Sequence, residues 1–500
     1  MIDLDVDVAV LGAGFGGSLT ALLLERIGLK PALIERGVHP RFALGESSTP
    51  LADFVLTQLA ERYDLPRIKP LANYGSWQAS YPELPCGLKR GFSYFQHVAG
   101  QPFVPRADRQ NELLVEASYT SDDADAHWLR ADFDHFLVRE AQAAGIAYLD
   151  RTVLDEITSG ERWELAGRRE AEPCRIRASF VVDATGGGDA LAKRLGLKND
   201  AAGFRTRSRT IYGHFRGLKP WREIYEARGG RTDEHPFGCD DAALHQIVDG
   251  GWMWILPFNN GATSAGFMLD IDRWPLDETL TPNDEWQKML ALYPSLAEQF
   301  AEAQFVAPPG GLRRTGRLQR RVERAAGPNW AMLPLAAYAL DAWYSTGNAH
   351  TLYGIERIVG ILQRHWRRPE MASELERHNQ ILQCEISLVD QLVHGCYLGF
   401  GRFELLAHYA MHYFAAATVS ESRRLTMGRD CPDAFLQATN AEFRAAVDGS
   451  YDRLTQLVAR GPIDEQNIAN YGREVATALA PFNIAGLCDP AKRNMYPYTG

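Results

Sequence analysis

Lys89 lies in the stretch Cys86-Gly87-Leu88-Lys89-Arg90-Gly91-Phe92-Ser93-Tyr94-Phe95, a lone lysine framed by glycines and aromatic residues. A compact amine on a flexible stem can hydrogen-bond an electrophile, or attack it as a neutral nucleophile if burial lowers its pKa. Arginine stays charged and does neither well. Lysines are rarely buried, so Lys89 by itself reads as an exposed strand residue. Two other segments reverse that reading. In Trp252-Met253-Trp254-Ile255-Leu256-Pro257 the two tryptophans stand at i and i+2, on one face of a strand, where they either fill a core or wall off a reactive group. In Gly12-Ala13-Gly14-Phe15-Gly16-Gly17 the glycines have the spacing of a dinucleotide-binding turn.

That turn has the surroundings it needs. Val6 to Leu11 predicts a strand, Ser18 to Ile27 a helix by its apolar spacing, and Ala32 to Ile34 a second strand leading into Glu35, eighteen residues after Gly17. Gly12 permits the turn, Gly14 lets a pyrophosphate approach the backbone, and Gly17 lets helix and strand pack closely. The phosphates would sit at the helix N-terminus and the Glu35 carboxylate on a ribose, with Arg36 and Arg41 in the same cofactor-binding set.

Three later segments decide which dinucleotide. Arg130-Ala131-Asp132-Phe133-Asp134 opens a predicted helix to Gly145, and Ser179 to Gly186, through Asp183, predicts a buried strand ending in a glycine turn. Trp330-Ala331-Met332-Leu333-Pro334 is followed by Asp341 and by Ser345-Thr346-Gly347. These resemble the recurring fingerprints of FAD-dependent aromatic hydroxylases, which favours FAD over NAD. The expected fold is α/β, of the FAD-binding glutathione-reductase type. Residues 1–360 form the FAD core with an interleaved, mixed substrate-side sheet at about 70–115 and 205–310. Residues 361–500 form a helical C-terminal region, with helices from His378 to Leu398 and from Pro432 to Ala446 and little strand signal.

A net charge of -10 argues against nucleic acid, whose binding proteins need clustered positive charge. The basic cluster Arg313, Arg314, Arg317, Arg320, Arg321 and Arg324 is local and faces either an FAD pyrophosphate or solvent. No run approaches the ~18 apolar residues of a membrane span, and the first residues are acidic where a signal peptide is basic. A cytoplasmic location is expected. The seven cysteines are scattered and expected to be reduced, with no metal pattern among them.

The motifs together resemble the flavin-dependent halogenase family. Trp252 to Pro257 matches its W-x-W-x-I-P element with Leu256 in place of isoleucine, and Cys86 to Phe95 resembles the lysine strand of the phenol-acting branch, closest to a phloroglucinol halogenase. Gly45-Glu46-Ser47-Ser48-Thr49-Pro50 resembles the family's flavin-sensing strap and Ser345-Thr346-Gly347 its halide-side loop. The similarity runs from residue 1 to about 360, and the tail adds little to it. The resemblance implies FADH2 from a separate flavin reductase, dioxygen, and chloride or bromide. Hypohalous acid would form at the flavin and pass through Lys89 to a small electron-rich aromatic substrate, free or tethered to a carrier, with Trp252 and Trp254 shielding the flavin. It also implies FAD contacts by Glu46, Ser47, Arg130, Asp183 and Asp341, and halide contacts by Ser345, Thr346 and Gly347. Two departures bear on halide binding: Ala342 follows Asp341 where the family has proline, and Asn348 follows Gly347 where it has an apolar residue. Tyr344 stands where tryptophan halogenases carry a catalytic glutamate, which favours a phenol-like ring. Neither His97 nor His350 is identified as a general base. An FAD-dependent aromatic hydroxylase and a flavoprotein with an impaired halide site remain open.

Overall fold

In the computed structural model, residues 1–187, 190–428 and 434–498 are described. The glycine turn follows a strand, Ile2–Leu11, and starts a helix, Phe15–Arg26. Both are longer at their N-terminal ends than the apolar pattern predicts. The strand pairs in parallel with Pro31–Ile34 on one side and Glu172–Asp183 on the other. Trp330–Met332 and Ala147–Leu149 add parallel strands at the two flanks. This is the dinucleotide-binding sheet, and its near-continuous apolar strands are buried on both faces.

A second, nine-stranded sheet is mixed, as expected. Ser208–Arg216, Thr263–Asp270, Gly251–Pro257 and Ala243–Val248 run antiparallel in that order, and Gly91–Gln96 then joins in parallel. Alternation splits it cleanly: Met253 and Ile255 pack with Phe95, Trp221 and Trp286 on one face, whereas Trp252, Trp254 and Leu256 turn to the other. The lysine strand Cys86–Lys89 stands apart from this sheet and, among the described residues, pairs with Asp125–Trp128 alone.

The C-terminal region differs from its expected form in three ways. Helix Thr346–His365 runs through position 360, so the change of texture comes without a break in the chain. The region ends in a strand, Met495–Tyr496, which pairs in parallel with Glu112–Glu116 and extends the second sheet. The helix expected from Pro432 begins at Ala441, because the Asn440 side chain accepts from the backbone N–H of Glu442 and Phe443 and caps it there. Pro432 and Cys431 lie outside the described residues. Helices Glu370–Gly399 and Phe403–Met427 share one continuous apolar core with the FAD-side helices. The cysteines among the described residues are all free thiols, and no described helix is long and apolar enough to cross a membrane.

Candidate active site

The glycine turn fits a pyrophosphate on steric grounds. Gly12 has φ +94, and a Cβ there would lie 2.8 Å from the Ala184 carbonyl oxygen; a Cβ on Gly17 would lie 1.9 Å from that of Gly12. Gly14 faces the Arg130 guanidinium and lines a cleft of about 430 Å³ that runs from the turn to Trp252 and Trp254. The Glu35 carboxylate accepts from the N–H of Ala13 (2.9 Å) and Gly37 (2.7 Å) and from Arg41 (3.1 Å). Burial pushes its pKa up, but these donors outweigh burial and hold it below its usual value, so it is an ionised acceptor beside the glycine turn. Arg41 lines the cleft, whereas Arg36 is exposed and outside it. The turn, the acid and the cleft together suit FAD.

Arg130 grips Asp134 through two hydrogen bonds (2.8 and 2.9 Å) and donates a third and fourth to the carbonyls of Leu44 and Gly45. It therefore fixes the strap while facing the cleft. Asp183 does not line the cleft: its carboxylate caps the turn that follows, accepting from Thr185 N–H and hydroxyl and from Leu191 N–H. Asp341 lines the cleft, yet it accepts from Ser208 (2.7 Å), Tyr397 (2.7 Å), the Trp252 indole (3.2 Å) and Trp343 N–H (3.1 Å). It thus joins sheet, late loop and C-terminal helix. Trp254 donates to Ser264, and the two indoles lie 6.1 Å apart on the cleft wall.

Ser345, at φ +54, caps the 20-residue helix that Thr346 opens, and Ser345, Thr346 and Gly347 all line the cleft. A helix N-terminus there favours an anion. Asn348 explains one departure from the family pattern, because its amide donates to the Ser47 carbonyl (3.2 Å) and ties the halide-side loop to the strap. Glu46 lines the cleft and is paired with His214 at 2.6 Å. Of the basic cluster, Arg320 reaches the cleft edge, donating to the carbonyls of Gly186 and Leu335; Arg314 and Arg324 are paired with Glu285 and Glu376.

The strap leads directly to Lys89, whose ammonium is wholly buried. It donates to the Ser48 carbonyl, lies 3.5 Å from Asp125 and sits 4.2 Å from the centre of the Phe92 ring. Asp53, held by the Ser48 hydroxyl at 2.9 Å, completes a buried group of one amine and two carboxyls. Burial, and then the Asp125 charge, push Asp53 well above the carboxylate range, so it retains a proton. Burial pushes Lys89 down and Asp125 up, and their mutual attraction opposes both shifts. The amine is thus balanced by Asp125 as the nearer charge, with Asp53 protonated.

Beyond Lys89 lies a second cavity, of about 230 Å³. Thr49, Phe54, Phe92, Phe414 and Glu421 are among its walls. Ser47 lines the first cavity, Thr49 lines the second, and the Ser48 carbonyl between them is the one that holds Lys89. The lysine itself lines neither cavity and is buried behind the strap segment that runs from one to the other. His97 lies on the far face of the large sheet, hydrogen-bonded to Gln246, with burial lowering its pKa to about 4. His350 is bound between Tyr338 and Glu385. Tyr344 stacks on Tyr413 at 4.1 Å and lines neither cavity. Asp53, Asp125 and Glu421 escaped the sequence reading, since none belongs to a spaced motif.

No protein-family model matches the chain. It is 27% identical over 406 residues to the monodechloroaminopyrrolnitrin halogenase PrnC of Pseudomonas fluorescens, covering 80% of this chain and 69% of that protein. It is 27% identical over 432 residues to the tetracycline 7-halogenase of Kitasatospora aureofaciens, covering 85% and 75%. The fold is that of the halogenase PltM solved with phloroglucinol and FAD, with TM-score 0.87, 23% identity, and coverage of 98% of this chain and 99% of that one. In sequence and in fold, then, the chain is similar to flavin-dependent halogenases over most of its length.

Proposed function

We propose that this chain halogenates an electron-rich phenolic ring, with Lys89 relaying the oxidised halogen from the FAD cleft to the second cavity. Bound in the cleft, FAD reduced by a separate flavin reductase supplies, with dioxygen, the oxidising power that turns chloride or bromide into hypohalous acid. The helix start at Ser345, Thr346 and Gly347 holds the halide, and Trp252 and Trp254 keep the organic ring away from the flavin. Lys89 has three N–H donors. One is committed to Ser48 and one faces Asp125, while the Phe92 ring lies toward the second cavity. From that position the ammonium polarises hypohalous acid against a ring in the aromatic-walled space. Exclusion of water protects the oxidant on the way.

The supporting observation is the position of the Lys89 nitrogen, buried behind the strap segment that runs from one cavity to the other. A small-ring site fits the second cavity's size and aromatic walls, and a cytoplasmic enzyme fits the need for reduced flavin from a partner.

The test supplies the purified protein with reduced FAD from a flavin reductase, dioxygen, chloride or bromide, and a phenol panel that includes phloroglucinol. Mass spectrometry is expected to find ring halogenation and no NADH consumption by the chain alone. A hydroxylated product with direct NADH consumption would replace this reading with an aromatic hydroxylase.

A further inference from the structure

We propose that Glu421 is the base of the second cavity: its carboxylate accepts the hydroxyl proton of a phenolic substrate and so selects rings that carry such a donor. This rests on the second cavity being the ring site. Glu421 lies on helix Phe403–Met427, on the cavity-facing side shared with Phe414, Ala417 and Thr418. Among the described residues two carboxyls line the cavity. Glu116 is engaged by the Arg90 guanidinium and by the N–H of Tyr498 (2.8 Å). Among the described residues no hydrogen bond or ion pair engages Glu421, although the walls around it are mostly apolar or aromatic. A carboxyl so placed calls for a donor from the ligand.

The titratable groups near it come from separate elements: Lys89 and Asp125 from the paired short strands, Tyr413 from its own helix, and Tyr498 from the segment after Met495–Tyr496. Burial, then the Asp125 charge, raises the Glu421 pKa to about 8, with Lys89 opposing. A base matched to a phenol needs such a pKa.

The step balances. Glu421 takes the hydroxyl proton as a ring carbon bonds the halogen and the oxygen–halogen bond breaks, its electron pair staying on oxygen. That oxygen leaves as water with a proton from Lys89. The proton on the halogenated carbon then restores Lys89, and Glu421 returns its own to the ring oxygen. One hypohalous acid and one phenol give one halophenol and one water.

Glu421→Gln and Glu421→Asp are compared with wild type on phloroglucinol and on 1,3,5-trimethoxybenzene, which has no hydroxyl. Glu421→Gln should lower kcat/KM for phloroglucinol by about 10²-fold and leave the ether unaffected, with Glu421→Asp recovering part of the loss. The ratio of wild-type to Glu421→Gln rates should rise with pH and level off above about 8. Calorimetry without turnover should show phloroglucinol bound roughly tenfold more weakly by Glu421→Gln, and the ether bound equally. Phloroglucinol rates and affinities within about twofold of wild type, at a ratio independent of pH, would overturn the proposal. If no variant halogenates any ring, the relay reading fails, and the calorimetric comparison still decides whether Glu421 receives the hydroxyl.

Discussion

The two cavities are joined by the strap segment that holds Lys89 and are built in opposite ways. The FAD cleft is made of turns and element ends: the glycine turn, the strap, the Asp341 loop and the start of helix Thr346–His365. Backbone groups of these turns are held in place by Arg130, Asp183, Asp341 and Asn348. The second cavity is walled mainly by side chains from segments distant in sequence, namely the strap helix Pro50–Arg62, two sheet strands, helix Phe403–Met427 and the chain end. A cleft whose rim is set by backbone turns suits an invariant cofactor, because changing side chains alters those turns little. A cavity made of side chains can change its ligand by single substitutions. The difference agrees with the proposal that cofactor chemistry occupies the first space and substrate choice the second.

The largest expected effect is at the Lys89 site itself. Asp125→Asn removes the carboxylate that balances Lys89 in a buried site and should destabilise the protein by about 3–5 kcal/mol, measured by denaturant unfolding. Asp53→Asn should cost far less, because Asp53 already carries its proton. A larger loss in Asp53→Asn than in Asp125→Asn would mean that the charge lies on Asp53 instead.

On the cofactor side, Asp341→Asn puts an amide donor among four donors that now converge on the carboxylate. A loss of about 1–3 kcal/mol in stability and weaker FAD binding are expected, with phenol affinity unchanged. A change in phenol affinity alone would blur the division between the spaces.

A third effect is in pH dependence. The Glu421 pKa is raised from 4.5 to about 8, so the folded chain keeps a proton that the unfolded chain releases above about 4.5. Stability from this group therefore falls as pH rises from 4.5 to 8 and is level beyond. Melting curves of Glu421→Gln and wild type should coincide near pH 4 and separate toward pH 8, with the variant the more stable. Parallel curves across that range would place the pKa elsewhere.

The same contrast governed what the sequence disclosed. Gly12, Gly14, Gly17, Glu35, Trp252 and Trp254 lie in short contiguous motifs, because a backbone turn or one strand face is encoded within a few residues. Their positions in the fold could be read in advance. Asp183 and Asp341 were legible as motif members, but their many protein donors were not, since those come from Leu191, Ser208 and Tyr397. The second cavity was not legible. Glu421 is one glutamate on an amphipathic helix, and only tertiary packing brings it near Lys89. The tail, which adds little to the motif resemblance, supplies Tyr413, Phe414, Glu421 and Tyr496 to that cavity.

The most direct measurement is halogen transfer by Lys89→Ala, followed together with FAD binding and with capture of hypohalous acid by a freely diffusing thioether. The relay requires normal FAD binding, continued thioether oxidation, and a fall in phenol halogenation of at least about 10²-fold. Phenol halogenation at the wild-type rate would contradict it.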